Sequence, residues 1–508
     1  NQNKSHSVDI EMTKPQPDIL LLYSDQHAPI AGCYGDEIVQ TPNLDRLANS
    51  GTLFTNCYCP SPICLPSRMS FLPAREPHRQ GAWTNRDILP SGIPTFAHSL
   101  GAAGYDTVLA GRMHSIGPDQ MRGYSRRLVG DHSANWLGGV GHDLGPLAKA
   151  NDPWRESLTA SGPGRSAYET YDNAVTEAAI DQLEEIGRRR AEGDSRPFAL
   201  TIGWILPHAP YGCSPELFES YKGKVPPPSI APPEDEHPHY EWWRKDRGVA
   251  DATPTETMRA RTAYYGLVET VDTMIGRVLS ALKQAGLSDN TLVIYTSDHG
   301  EHLGNRGLWW KSTLYDEAAK VPLIMSLPGV IPANQSCEAV VNLTDVTATM
   351  LDIAGAKALP NSQGQSFAGV FEDPAMPWSD ETFCEYVNDG VPPWAGGREV
   401  IQRMVRLGRY KYIYHHGHRD QLFDLQDDPQ ELCDLINDPA FAGVGQRLRD
   451  RVLAGWDPDA ISASLATNGA DQAMLEDWAK ATRPTDLLRW EMKAEDNWLT
   501  PLSYELNS

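Results

Sequence analysis

Four times along this chain of 508 residues an apolar run stops abruptly at a cluster of acids, bases or cations. Asp18-Ile19-Leu20-Leu21-Leu22-Tyr23 ends in Ser24-Asp25-Gln26-His27, and Asp106 to Ala110 ends in Gly111-Arg112-Met113-His114. Pro197 to Trp204 leads to Ile205-Leu206-Pro207-His208, and Thr291 to Thr296 to Ser297-Asp298-His299-Gly300. Unbroken apolar runs of this length suit strands buried on both faces. Pro322 to Leu327 reads as a fifth strand. Between the runs lie helix signals: Thr41 as N-cap with Pro42 behind it and Gly51 as stop, a second such segment from Ile93-Pro94 to Gly104, and a third from Ser166 to Arg190. From about Glu256 to Ala285, Leu267, Val271, Met274, Val278 and Leu282 share one helical face. Alternating strands and helices predict an α/β protein with a mostly parallel central sheet flanked by helices. Ligands of such sheets bind outside the carboxyl ends of the strands, which is where the four polar clusters fall. Acids, bases and cations delivered to one rim point to an enzyme rather than a scaffold.

The pattern changes near residue 376, which divides a catalytic domain over 17–375 from a smaller α+β subdomain over 376–508. In the latter Arg409 to Tyr414 and Gln421 to Leu425 read as an antiparallel pair, followed by a helix and an irregular tail. Residues 1–16 read as a disordered arm or an expression remnant. Residues 117–165 read as loop, and 212–255, with Pro226-Pro227-Pro228, Pro232-Pro233 and Trp242-Trp243, as a long surface excursion. The formal net charge of −23 argues against nucleic-acid partners. No run of about 18 apolar residues is present, so no membrane span is expected. The eight cysteines are scattered and complete no zinc motif. That favours a reduced, cytoplasmic setting, or a periplasmic one if a leader has been removed.

Asp25, Gln26, Asp298 and His299 read as a set of oxygen and imidazole ligands for one divalent ion. Oxygen ligands suit a hard ion such as Ca2+ or Mg2+, and the imidazole makes Mn2+ the alternative. The same acids also fit helix N-caps. The most constrained stretch is Cys64-Leu65-Pro66-Ser67-Arg68-Met69-Ser70-Phe71-Leu72-Pro73-Ala74-Arg75. With prolines at 60, 62 and 66 it reads as a rigid turn presenting one side chain.

C-x-P-S-R followed by S-F-L and a distal Arg resembles the signature of the formylglycine-dependent type I sulfatases, of the alkaline-phosphatase-like superfamily. Gly111-Arg112-Met113-His114 is similar to that family's G-K-x-H element, with Arg for Lys, and Pro207-His208-Ala209-Pro210 to its P-H-x-P element. Gln26, His299 and Arg306 to Lys311 resemble the choline-sulfatase and phosphonate monoester hydrolase branch. The resemblance implies that a maturation enzyme oxidises Cys64 to formylglycine, which joins Asp25, Gln26, Asp298 and His299 at the metal. It implies hydrolysis of a sulfate monoester of a small molecule or carbohydrate. One hydroxyl of the hydrated aldehyde would attack sulfur, and the other would later expel sulfate.

On this reading Arg68, Arg112 and Lys311 offset charge on the sulfuryl oxygens, and His208 with Lys311 protonates the leaving oxygen. His114 is the candidate base. Asn85, Trp83 and Trp310 are candidate substrate contacts. Trp242, Trp243, Trp309, Trp310 and Trp394 suit stacking on sugar, enclosing a quaternary ammonium, or plain packing. Trp490 and Trp498 read as docking groups and leave a homo-oligomer open. The alternative on the same scaffold is a phosphodiester or phosphonate monoester hydrolase, and a further one is a binding protein without turnover.

Overall fold

A computed structural model describes residues 16–139, 144–151, 153–373, 375–484 and 490–501. The expected N-terminal arm lies outside these residues, apart from Gln16, whose amide donates to the Ala354 carbonyl.

The centre is a nine-stranded sheet. In chain order its strands are β1 (Asp18–Asp25), β2 (Thr52–Tyr58), β3 (Asp106–Gly111), β4 (Arg126–Val129), β5 (Phe198–Pro207), β6 (Thr291–Ser297), β7 (Lys320–Ser326), β8 (Gln335–Cys337) and β9 (Val341–Asn342). They lie side by side as β8-β2-β7-β6-β1-β5-β3-β4, with β9 beside β2. β1 is parallel to β5 and to β6, and β3 is parallel to β5 and β4. Every residue of β1, β5 and β6 is buried, as unbroken apolar runs require. β7 is the predicted fifth strand, but it runs antiparallel to both β6 and β2.

β2 has no counterpart in the sequence reading. Its middle residues Thr55 and Asn56 are only half-buried, and the register with β7 shifts between Phe54 and Cys57. That irregularity hides the strand from a periodicity argument.

Helices cover both faces. The longest, Pro254–Gln284, opens with a Thr253/Glu256 capping box and buries Leu267, Val271, Met274, Val278 and Leu282. Ala167–Ala191 packs beside it. The stretch expected to be a surface excursion folds partly inward. Pro238–Asp246 is a helix that buries Tyr240 and Trp243. Aromatic residues in a proline-rich setting here serve the core.

A second sheet is antiparallel throughout: β10 (Glu381–Asn388), β11 (Val400–Leu407), β12 (Tyr410–His415) and β13 (Gln421–Asp424). It leans on the segment preceding Cys64, since the Glu385 N–H donates to the Pro60 carbonyl at 2.9 Å. The tail docks on the chain's own body. Trp490 meets the Tyr171 ring edge-on, and Trp498 pairs with Arg165 as a short strand while staying 41% exposed.

Candidate active site

The stretch around Cys64 is a helix, Cys64–Phe71, rather than a turn, and all of it is buried. Pro66 stands in its first turn, where its missing N–H has no intrahelical partner to lose. Cys64 is the first helical residue, so its Sγ sits at the end where backbone N–H groups point outward. The Ser67 hydroxyl donates to the Asp298 carbonyl at 2.6 Å, which ties this helix to the end of β6. Asn85 accepts from the Leu65 N–H at 3.0 Å and so holds the same helix. Trp83 packs with Val387, Ile401 and Trp456 in a small core cluster.

Arg68 organises the charges. It is fully buried, with Nε 2.9 Å from Asp298 Oδ2 and Nη2 3.1 Å from Asp25 Oδ2. Arg112 Nε adds a third contact, 2.8 Å from Asp25 Oδ2. The two guanidinium groups thus occupy the Oδ2 atoms; Asp25 Oδ1 faces Cys64 Sγ at 3.6 Å, and Asp298 Oδ1 accepts the N–H groups of Gln26 and His299 at 3.0 Å each. Burial pushes the Asp25 carboxyl up, but Arg112 and Arg68 outweigh it and hold it well below the usual range. His299 donates Nδ1–H to the Gly300 carbonyl at 3.0 Å, which leaves the Nε2 lone pair free. That nitrogen lies 3.1 Å from Cys64 Sγ, 3.7 Å from Asp25 Oδ1 and 3.6 Å from Asp298 Oδ1. Burial depresses the imidazole, so the ring is neutral.

Asp25, Cys64, Asp298 and His299 therefore offer four donor atoms within 4.8 Å of one another, all buried. Two carboxylate oxygens, one oriented imidazole and residue 64 fit a divalent cation. Here Sγ marks the place that the oxygens of an oxidised residue 64 would take. Gln26 points elsewhere. Its amide donates to Glu301 Oε2 at 2.6 Å, and its oxygen accepts from the Lys311 ammonium.

Across from this cluster lies a wetter wall. Asp25, Asp298 and His299 are 0% exposed, whereas Lys311, His208 and His114 are 8–9% exposed, so what solvent access the cluster has lies on their side. His208 donates Nδ1–H to the Ala209 carbonyl at 2.6 Å, and its Nε2 lies 2.7 Å from Lys311 Nζ. With Nδ1 donating, Nε2 is the acceptor and Lys311 Nζ the donor of that contact. His114 accepts at Nδ1 from Arg112 Nη2 at 2.9 Å. Burial, reinforced by Arg112, keeps the ring neutral. The neutral tautomer therefore carries its proton on Nε2, and presents a donor where a base was expected. Trp310 is buried against Trp243, with ring centres 5.8 Å apart.

Three acids absent from the sequence reading set these positions. Asp131 accepts the backbone N–H groups of Met113 and His114 at 3.1 and 2.7 Å. Asp172 accepts those of Ile205 and Leu206, fixing the end of β5. Glu301 accepts from Gln26, the Tyr211 hydroxyl and the Trp310 N–H. Glu301 lay within sight, three residues after Asp298; the other two carried no local signal.

Comparison with known proteins agrees with this geometry. The family model described as Sulfatase matches residues 17–356, and that of the N-sulphoglucosamine sulphohydrolase C-terminal region matches 304–455. A choline-sulfatase of Rhizobium meliloti is 31% identical, with 90% of each chain covered. Arylsulfatase K of Canis lupus familiaris is 30% identical over 90% of this chain and 85% of its own. The crystal structure of the phosphonate monoester hydrolase of Agrobacterium radiobacter superposes with a TM-score of 0.70 at 23% identity, covering 86% of this chain and 95% of that one, and shows the shared alkaline-phosphatase-like fold. The chain belongs to the sulfatase family.

Proposed function

We propose that this protein hydrolyses sulfate monoesters, with residue 64 acting as formylglycine and with Asp25, Asp298, His299 and residue 64 holding one divalent cation. The observation that carries the reading is the position of Cys64. Its Sγ is at a helix start, 3.1 Å from an oriented imidazole and 3.6 Å from a carboxylate held ionised by two arginines.

A sulfate ester resists hydrolysis because its alkoxide leaves poorly and its sulfur is screened by oxygens. An aldehyde hydrate at residue 64 would supply the attacking oxygen and, through its second hydroxyl, a route for releasing sulfate. The bound cation would neutralise oxygen charge and favour the deprotonated nucleophile. The remaining work falls to the chain. Arg112 and Lys311 stand where charge gathers on the sulfuryl oxygens. Lys311 passes a proton to the leaving oxygen, directly or through His208 Nε2. His114 donates Nε2–H to an oxygen of the bound ester, and accepts a proton only after its tautomer changes.

The test pairs a sulfate monoester and a phosphodiester with one common leaving group. Faster hydrolysis of the sulfate, in protein whose peptide across Cys64 carries an aldehyde, is the expected result. An unmodified thiol in fully active protein overturns the role of residue 64. A strong preference for the phosphodiester overturns the substrate class in favour of a phosphorus ester hydrolase.

A further inference from the structure

Every nitrogen of the Arg112 guanidinium has a partner on the chain. Nε lies 2.8 Å from Asp25 Oδ2, and Nη2 donates to His114 Nδ1 at 2.9 Å. Nη1 donates to His132 Nε2 and lies 3.4 Å from Ser133 Oγ. One side chain thus joins a carboxylate beside Cys64 to two imidazoles. The planar fork sends its three nitrogens in different directions. An ammonium carries all its N–H bonds on one atom, so a lysine at 112 would not reach the same three partners at once.

His132 is set for this contact by its neighbours. Asp131 accepts the backbone N–H groups of Met113 and His114 at Oδ2, and that of Ser133 at Oδ1, 3.1 Å away. A single carboxylate therefore clasps residues 131–133 to the segment that carries Arg112 and His114. The clasp also holds His114 at a φ of 57°, a left-handed backbone that a residue with a Cβ keeps only where its surroundings enforce it. The Tyr171 hydroxyl donates to the Gly130 carbonyl at 2.8 Å and ties the clasp to the helix Ala167–Ala191. The His132 ring is 6% exposed and is flanked by Tyr168 and Tyr171, with ring centres 5.3 and 5.7 Å away. Tyr168 in turn meets the His208 ring edge-on at 6.1 Å.

We propose that His132 is the positioning residue of the Arg112–His114 pair: its Nε2 holds Nη1, so the fork cannot turn and Nη2 stays on His114 Nδ1. The consequence falls on His114. With its Nδ1 lone pair engaged, that ring keeps its proton on Nε2, the nitrogen that serves the ester oxygen. The inference rests on the reading of the chain as a sulfate-ester hydrolase. It makes Arg112 and His132 a matched pair, in which each is of full use only with the other.

The test is a double-mutant cycle on 4-nitrophenyl sulfate, with rates normalised to the aldehyde content at residue 64. His132→Leu is expected to lower kcat/KM at least 20-fold. In an Arg112→Lys background the same substitution is expected to lower it less than threefold, because the arm that His132 holds is already gone. His132→Gln puts an acceptor where Nε2 stood and is expected to stay within fivefold of the wild type. His132→Asn, one bond shorter, is expected to fall at least tenfold below His132→Gln, a difference that a merely space-filling histidine would not produce. Equal losses from His132→Leu in both backgrounds overturn the pairing and leave the sulfatase reading standing. So does wild-type activity of His132→Leu. Should His132→Leu fail to fold, the two amides decide alone, and equal rates for them overturn the pairing. Turnover of no sulfate ester by the aldehyde-bearing wild type overturns both.

Discussion

Two buried charge networks lie on either side of the segment from Glu301 to Ala319, and they are wired in opposite ways. At the junction with the second sheet, Lys411 is 0% exposed and lies 2.8 Å from Asp316 and 2.7 Å from Glu431. The Asp316 N–H in turn donates to Glu431 Oε2 at 2.8 Å, and the Tyr58 hydroxyl to Asp316 at 2.9 Å. The cation ends on protein and closes a loop. At Cys64 the arginines take the Oδ2 atoms of Asp25 and Asp298, and the Oδ1 atoms, the His299 lone pair and Sγ converge on each other. A closed network holds two layers together; a convergent one holds donors ready for something that is not protein. The difference lies in where the lone pairs point: the closed network reaches the surface at Asp316, 19% exposed, while Asp25 and Asp298 are 0% exposed.

Cys64→Ala puts that distinction under the greatest strain. Turnover of a sulfate ester is expected to fall by ~10^4 or more, because the nucleophile is gone. The melting temperature should move by only a few degrees, since the thiol is small and its polar contacts are the weak sulfur ones to His299 and Asp25. Initial rates and a thermal melt on the same sample check both halves. Wild-type multiple turnover in this variant would show that the convergent network is merely structural.

Lys411→Met probes the closed network. Removing one partner leaves Asp316 and Glu431 facing each other in the interior, which typically costs about 3–5 kcal/mol. Urea unfolding should show that loss, while kcat per folded molecule stays within about threefold. A stable variant with crippled kcat would reverse the assignment of the two networks.

The sequence announced the convergent network better than the closed one, for a physical reason. Asp25, Arg112, His208 and Asp298 each follow an apolar run, so a local pattern marks the strand ends that bring them together. The motif at Cys64 is equally local. What stayed hidden is made by distance: Glu301 reaches Gln26 across 275 residues and Asp131 reaches His114 across 17, and no spacing rule predicts either. The helix at Cys64 was obscured by its prolines, which look like turn residues until Pro66 is seen to occupy the first turn. The tryptophans of 242–243 misled in the opposite sense, since their proline-rich setting reads as surface while Trp243 is 2% exposed.

Lys311→Ala sharpens the convergent side. If the ammonium supplies the leaving-group proton, kcat/KM should fall by ~10^2–10^3 for an alkyl sulfate, whose alkoxide needs protonating. For 4-nitrophenyl sulfate, whose leaving group is already stable, the fall should be at least tenfold smaller. Equal losses on both esters would make Lys311 a charge-neutralising group only.

The smallest effect is a matter of pH and belongs to the closed side. His237 donates Nε2–H to the Arg419 carbonyl at 2.9 Å, accepts at Nδ1 from the His239 N–H at 3.1 Å, and stacks on His415 with ring centres 3.9 Å apart. It thereby joins the helix Pro238–Asp246 to β12. Burial drives its imidazole down to about 4 from the ordinary 6.5. Between those values the unfolded chain takes up a proton that the folded chain refuses, so stability is complete above pH 6.5 and is lost as pH falls towards 4. At ~1.4 kcal/mol per unit the loss reaches roughly 3 kcal/mol. His239 and His415 are depressed in the same direction by burial and add to the slope, so the measurement is a difference. His237→Asn keeps an acceptor for the His239 N–H and removes the titrating ring. Urea unfolding at pH 7 and pH 4.5 should show this variant losing at least 1 kcal/mol less than the wild type, and equal losses would mean that the stacked pair admits a proton without opening.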